Sequence, residues 1–264
     1  MSMRTSGAFE ARNCGDLRRV ARIMTARRTR NVLTTGSAVL IAAAMVGCTT
    51  AQSEPTPGGS TSPTADAAAP VPLSDLPDGS PLDPGRYVAA IDGAPDAPLL
   101  PVLSVPEGYV GFAGGTGVAD ATDRVERVVW VWDVNSVSTH PCSSGGVAEL
   151  VGPSVADLAN ALAAQALRAG TDPVPVTVGG YDGLYVELSV PDDVDVAACP
   201  DGQFRMWPGR WQSAPGQVDM VWIVDVEGQR IVLDTSHFPG ASPEHVAELR
   251  DMVTTATFEP AEGT

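Results

Sequence analysis

The apolar positions of this chain change period three times. Val32 to Val46 is a short apolar run, interrupted only by small polar residues. No 2.0 or 3.6 period runs through Thr49 to about Asp83, where Pro, Ser, Thr, Gly and Ala dominate. From about Pro84 strand-like alternation begins. Arg86–Ile91, Leu99–Val105 and Glu107–Phe112 read as short strands, and Glu126–Val134 as a firmer one with Val128, Trp130, Trp132 and Val134 on one face. Ser154–Arg168 switches to a helical period: Ser154 can cap, Asp157 follows three later, and Val155, Leu158, Leu162 and Ala166 form one stripe, with Gly170 at the stop. Pro175–Val178 and Leu184–Val190 form a hairpin across Gly179–Gly183. Phe204–Trp207 and Arg210–Gln212 flank a Pro208–Gly209 turn, and Val218–Val226 and Gln229–Thr235 close across Glu227–Gly228. Ser242 and Pro243 start a last helix whose Val246, Leu249, Val253 and Ala256 point inward. Strands, helix, strands and helix predict an α+β class: an antiparallel sheet with two main helices packed on it.

The apolar run before residue 48 is too short to span a bilayer, which needs roughly 20 residues, and suits the core of an export signal. Met24 followed by Arg27-Arg28-Thr29-Arg30 gives the charged start of such a signal, so residues 1–23 read as an extension upstream of the true start. Met45-Val46-Gly47-Cys48 resembles a bacterial lipobox. That resemblance implies cleavage after Gly47 and a diacylglyceryl thioether on Cys48. Each buried CH₂ of a lipid adds about 0.8 kcal/mol, and stable anchoring takes more than one acyl chain, a condition a diacyl group meets. The expected layout is a signal peptide over 1–47, lipidated Cys48 and a disordered linker over 48–83, one domain over 84–260, and a tail over 261–264. A linker of this length behaving as a coil holds the domain roughly 30–35 Å from the lipid.

Charge sharpens this layout. The 264 residues contain no Lys, and all 16 basic residues are Arg. Eight of these Arg precede Cys48; from Cys48 onward eight Arg face 30 Asp and Glu, a balance of −22. So acidic a segment has no footprint for nucleic acid and is repelled by an anionic membrane surface. The bilayer is therefore expected as a partner only through the Cys48 anchor. Without Lys, this chain cannot supply a Walker A loop, a pyridoxal Schiff base or an S-x-x-K acyl-enzyme site. No G-x-S-x-G, H-E-x-x-H or EF-hand pattern occurs either. No cofactor or catalytic residue is expected.

Among the later residues Cys142 and Cys199 stand out, and an exported domain with such a pair usually bridges them. Closing a loop of that length stabilises by about 4 kcal/mol in the chain-entropy view. A zinc site with His140, and a Cys142 nucleophile beside His140, are the rivals; neither has the spacing or orienting motif it needs. The Asp192, Asp193 and Asp195 loop could take calcium, with a solvated acidic turn as the alternative. Trp207 and Trp211 beside their tight turn are the candidate recognition patch.

The stretch from Cys199-Pro200-Asp201-Gly202 to Arg205, and that from Pro215-Gly216-Gln217 to Val226, resemble a group of uncharacterised actinobacterial exported lipoproteins. The order of elements, ending in a helix after a long hairpin, is similar to the PsbP/Mog1-like fold found among mycobacterial lipoproteins. The likeness covers about residues 84–260 and implies a fold but no catalytic residues. The expected function is a membrane-anchored, extracytoplasmic module that binds a ligand or partner at the cell envelope. A cell-wall-associated hydrolase and a structural accessory subunit of an envelope complex are the alternatives.

Overall fold

The computed structural model describes residues 69–122, 127–143 and 148–261. The expected signal peptide, Cys48 and most of the expected linker lie outside the described residues. Eight strands precede the first helix: β1 (Val71–Pro72), β2 (Gly85–Val88), β3 (Leu99–Val105), β4 (Tyr109–Phe112), β5 (Gly117–Asp120), β6 (Val128–Trp132), β7 (Ser136–Ser138) and β8 (Ala148–Leu150). After α1 (Val155–Ala163) come β9 (Ala169–Gly170), β10 (Val174–Val178), β11 (Tyr181–Ser189), β12 (Phe204–Trp207), β13 (Arg210–Gln212), β14 (Val218–Val226) and β15 (Gln229–His237). Helix α2 (Pro243–Thr254) and strand β16 (Thr257–Pro260) finish the domain.

The main sheet runs β10-β11-β14-β15-β6-β5-β4, antiparallel at every step, with β9 extending the β10 edge against β11. Its spine is the β14–β15 hairpin. Glu227 and Gly228 close it with φ of 55° and 90°, and Gly179 and Gly180 close β10–β11 with φ of 59° and 88°. Left-handed conformations at both turn positions match the twist of paired strands. A smaller sheet, β1-β2-β3-β16, lies apart from it in pairing.

The main sheet is covered on both faces. On one, Val129, Val131, Met220, Trp222 and Leu233 pack with Leu249 and Val253 of α2 and with Leu103 of the small sheet. On the other, Trp132, Val221, Ile223 and Val232 pack with Leu158 and Leu162 of α1 and with Met206 and Trp207 of the β12–β13 hairpin. Two-sided burial explains why β14 reads as a nearly continuous apolar run rather than a clean alternation.

The helix starts follow the sequence closely. Ser154 and Asp157 form a reciprocal capping box on α1, and the Ser242 hydroxyl accepts the His245 N–H below Pro243 on α2. The end of α1 differs from expectation. It stops at Ala163, five residues before Arg168, and Ala166 is exposed rather than part of the apolar stripe. Ordered structure also begins earlier than residue 84. Leu73 and Leu82 are buried, β1 pairs with β2, and the Leu82 N–H donates to the Tyr109 carbonyl. These two leucines anchor a segment whose proline content otherwise reads as linker. Strand β16, unexpected after the helix, pairs with β3, and no described helix is long and apolar enough to cross a membrane.

Candidate functional site

A cleft lies beside the early end of α1. Leu158, Ala159 and Leu162 turn into the core. The flank carrying Ala161 and Ala164 faces the β7–β8 hairpin, in which Ser136 pairs with Leu150 and Ser138 with Ala148. Small side chains on this flank leave a cleft of about 430 Å³, within the usual range for small-molecule sites, roughly 300–1,000 Å³. Val137, Val151, Ala161 and Ala164 give it apolar walls, and Glu149 and Asp157 contribute carboxylates. Leu150 lines it while 87% exposed. Asp157 is held below the ordinary carboxylate range by its bonds with Ser154.

Several contacts fix the walls. Gln165, only 6% exposed, lines the cleft and donates its amide hydrogens to the Ser138 carbonyl at 3.0 Å and the Met206 carbonyl at 2.6 Å. Both donors are thereby used, which sets the orientation of the amide. Its Oε1 is buried without a partner among the described residues. Arg230 gives its guanidinium hydrogens to the carbonyls of Gly152, Ser154 and Val134, tying the segment after β8 to the sheet.

The connection between β7 and β8 is pinned by Cys142, whose sulfur lies 2.08 Å from that of Cys199, at disulfide distance. The Arg205 N–H donates to the Pro141 carbonyl beside it. Cys142 thus faces Cys199 rather than His140, whose Nδ1 lies 3.1 Å from the Thr139 hydroxyl. Among the described residues no group of three or more His, Cys, Asp or Glu side chains gathers as a metal site.

The Trp207 and Trp211 patch does not form. Trp207 is 2% exposed and packs edge-on against Trp132 at 5.8 Å between ring centroids, whereas Trp211 is half-buried and pairs with Arg205 across the hairpin. The cause is a register shift between Arg205 and Trp207. It turns Met206 and Trp207 inward together, where strict alternation would send one of them out. The Gly209 turn, at φ 90°, closes over the Trp132 ring.

Beneath this hairpin sits a charged group that sequence reasoning missed. Arg210 bridges Asp219 on β14 and Asp234 on β15, donating through Nε to Asp234 at 2.5 Å, and Gln212 donates to Asp219. Both carboxylates are fully buried. Burial, reinforced by the charge of Asp219, pushes Asp234 up to about 7 against the pull of Arg210. The available signal was Asp219 and Asp234, each set among apolar residues of a strand, since a buried Asp needs a partner. This network fastens β12–β13 to the sheet. Its raised carboxyl meets a guanidinium in the interior rather than a cleft.

A comparison with protein-family models finds no family that matches this chain, and a search of curated proteins finds no relative.

Proposed function

We propose that this chain is an extracytoplasmic lipoprotein, anchored to the cell membrane through Cys48, whose domain binds a small ligand at the envelope. The cleft between α1 and the β7–β8 hairpin carries this reading. It combines apolar walls, an exposed Leu150 and a few polar groups, the mix that small-molecule sites use. The burial of Trp207 removes the flat aromatic surface on which an accessory subunit would dock. The long hairpin followed by a terminal helix supports a PsbP/Mog1-like arrangement. The −22 balance after residue 48 supports covalent rather than electrostatic attachment to the membrane. Cys142 and Cys199 form a disulfide after export in this reading.

The test is ligand capture. The full chain is incubated with a small-molecule extract of cell envelope, re-isolated, and its bound compounds identified by mass spectrometry beside an Ala164→Trp variant that fills the cleft. Enrichment of a compound by the wild type and its loss in the variant is the expected result. Equal capture by both chains, or none by either, overturns the binding reading.

A further inference from the structure

The two outer strands of the main sheet differ in what lies beside them. On the β4 side an earlier segment covers the backbone. The Leu82 N–H donates to the Tyr109 carbonyl, the Gly79 N–H to the Gly111 carbonyl, and the Gly111 N–H to the Ser80 carbonyl. On the β10 side no backbone bond from the described residues reaches the outer edge. An open strand edge is a template for pairing with another chain. The composition of β10 suits it to such pairing. Val174, Val176, Thr177 and Val178 are β-branched, and residues 173–181 hold no charge in a segment that carries −22.

The register fixes which backbone groups of β10 point outward. Gly179 and Gly180 form a two-residue turn with φ of 59° and 88°, so Val178 and Tyr181 close the hairpin as a hydrogen-bonded pair. Such pairs alternate with non-bonded ones along an antiparallel ladder. Val178, Val176 and Val174 therefore turn their backbone groups to Tyr181, Gly183 and Tyr185, while positions 175 and 177 turn theirs away from β11. The partner strand agrees. Its Glu187 carbonyl accepts the Thr171 N–H on the side of β9 and β10, and the Val190 N–H, just past β11, donates to Gln217 on the side of β14. Position 175 is Pro, which has no N–H and whose ring fills the space a neighbouring strand would enter. Thr177 is left as the outward amide donor of β10, and both residues are exposed.

We infer that Pro175 keeps the β10 edge from pairing with β10 of a second copy of this chain. A second copy is the partner that this edge fits. Two identical strands meet antiparallel about a two-fold axis, each offering the other the same groups, and neither brings a charge to the contact. With Pro175 in place, each copy offers one outward donor from β10 where an unguarded strand would offer two.

The full chain is held in neutral-detergent micelles, at several micelles per chain. Native mass spectrometry reads its oligomeric state, and amide exchange is followed over residues 173–178. Wild type is expected to stay monomeric, with the Thr177 amide exchanging freely. Pro175→Val restores a donor on each copy. Its dimer fraction should rise about tenfold over wild type, as two added backbone bonds of ordinary net strength give, with Thr177 exchange slowed to match. Adding Thr177→Pro to Pro175→Val removes the other donor and should return the chain to monomer. Should Pro175→Val fail to fold, Pro175→Ala, which restores the same donor, decides in its place. A donor-restoring variant that stays monomeric, a dimer without protection over 174–178, or a wild type already paired through β10 overturns the assignment.

Discussion

At the scale of single residues, Gln165 and Leu167 face opposite demands. Gln165 serves the fold: it caps two buried carbonyls from different elements. Gln165→Leu should cost about 1–3 kcal/mol, because both carbonyls lose their donor, read as a fall in the urea midpoint. Leu167 weakens the fold. Leu167→Gly should raise stability by about 0.5–1 kcal/mol through relief of its left-handed backbone, read as a rise in the urea midpoint. Asp234 is a third case, with a pH signature. Its carboxyl is raised from 3.8 to about 7 in the folded chain. Between those values the folded state binds more protons than the unfolded one, so stability from this group is present at low pH and declines as pH rises toward 7. Urea midpoints measured from pH 7 down to pH 4.5 should therefore rise in the wild type, and Asp234→Asn should flatten that rise. Asp157 and Glu244 act in the other direction, since both are lowered and their contributions fade as the solution turns acid.

At the scale of elements, boundaries set by local chemistry were legible and those set by tertiary contacts were not. Ser154, Ser242 and Pro243 announce helix starts, and Gly179 and Glu227-Gly228 announce hairpins, because caps and left-handed turns need particular side chains. The end of α1 was not legible. Gln165 leaves the helical path to satisfy Ser138 and Met206, partners that no sequence window contains. The inward turn of Trp207 depends on a bulge, and the order of residues 69–83 depends on Leu73 and Leu82 meeting distant strands. The site was hidden for the same reason: small alanines of one helix flank meet a hairpin distant in sequence. Arg210 ties one hairpin to two strands from the main sheet. Removing one partner of a buried ion pair strands the others, so Arg210→Ala should cost about 3–5 kcal/mol. Thermal or urea unfolding checks this. Gly183 lies where a Cβ would sit 2.2 Å from the Ile223 carbonyl oxygen. Gly183→Ala should therefore disrupt β11–β14 pairing and lower the melting temperature.

At the scale of the whole molecule, the charge balance is the distinguishing feature. Of the eight Arg after Cys48, Arg124 lies outside the described residues. The other seven are engaged internally. Arg86, Arg127, Arg205 and Arg210 pair with carboxylates. Arg168 lies over Phe204, Arg250 over Tyr185 and Trp222, and Arg230 binds carbonyls. Carboxylates therefore dominate the charge of the segment after Cys48, which disfavours anionic partners. In that setting the Cys142–Cys199 link closes a long loop at the hairpin bordering the cleft. The Cys142→Ala, Cys199→Ala double variant should lose about 4 kcal/mol of stability, and exchange at the β7–β8 hairpin should rise with it.

The central claim is that the face between α1 and β7–β8 is where this protein meets its ligand. Hydrogen exchange of the full chain, with and without a small-molecule envelope extract, tests it directly. The account predicts slower exchange confined to residues 148–151 and 161–166. Unchanged exchange there, or protection confined to the β10 edge or the small sheet, would contradict it.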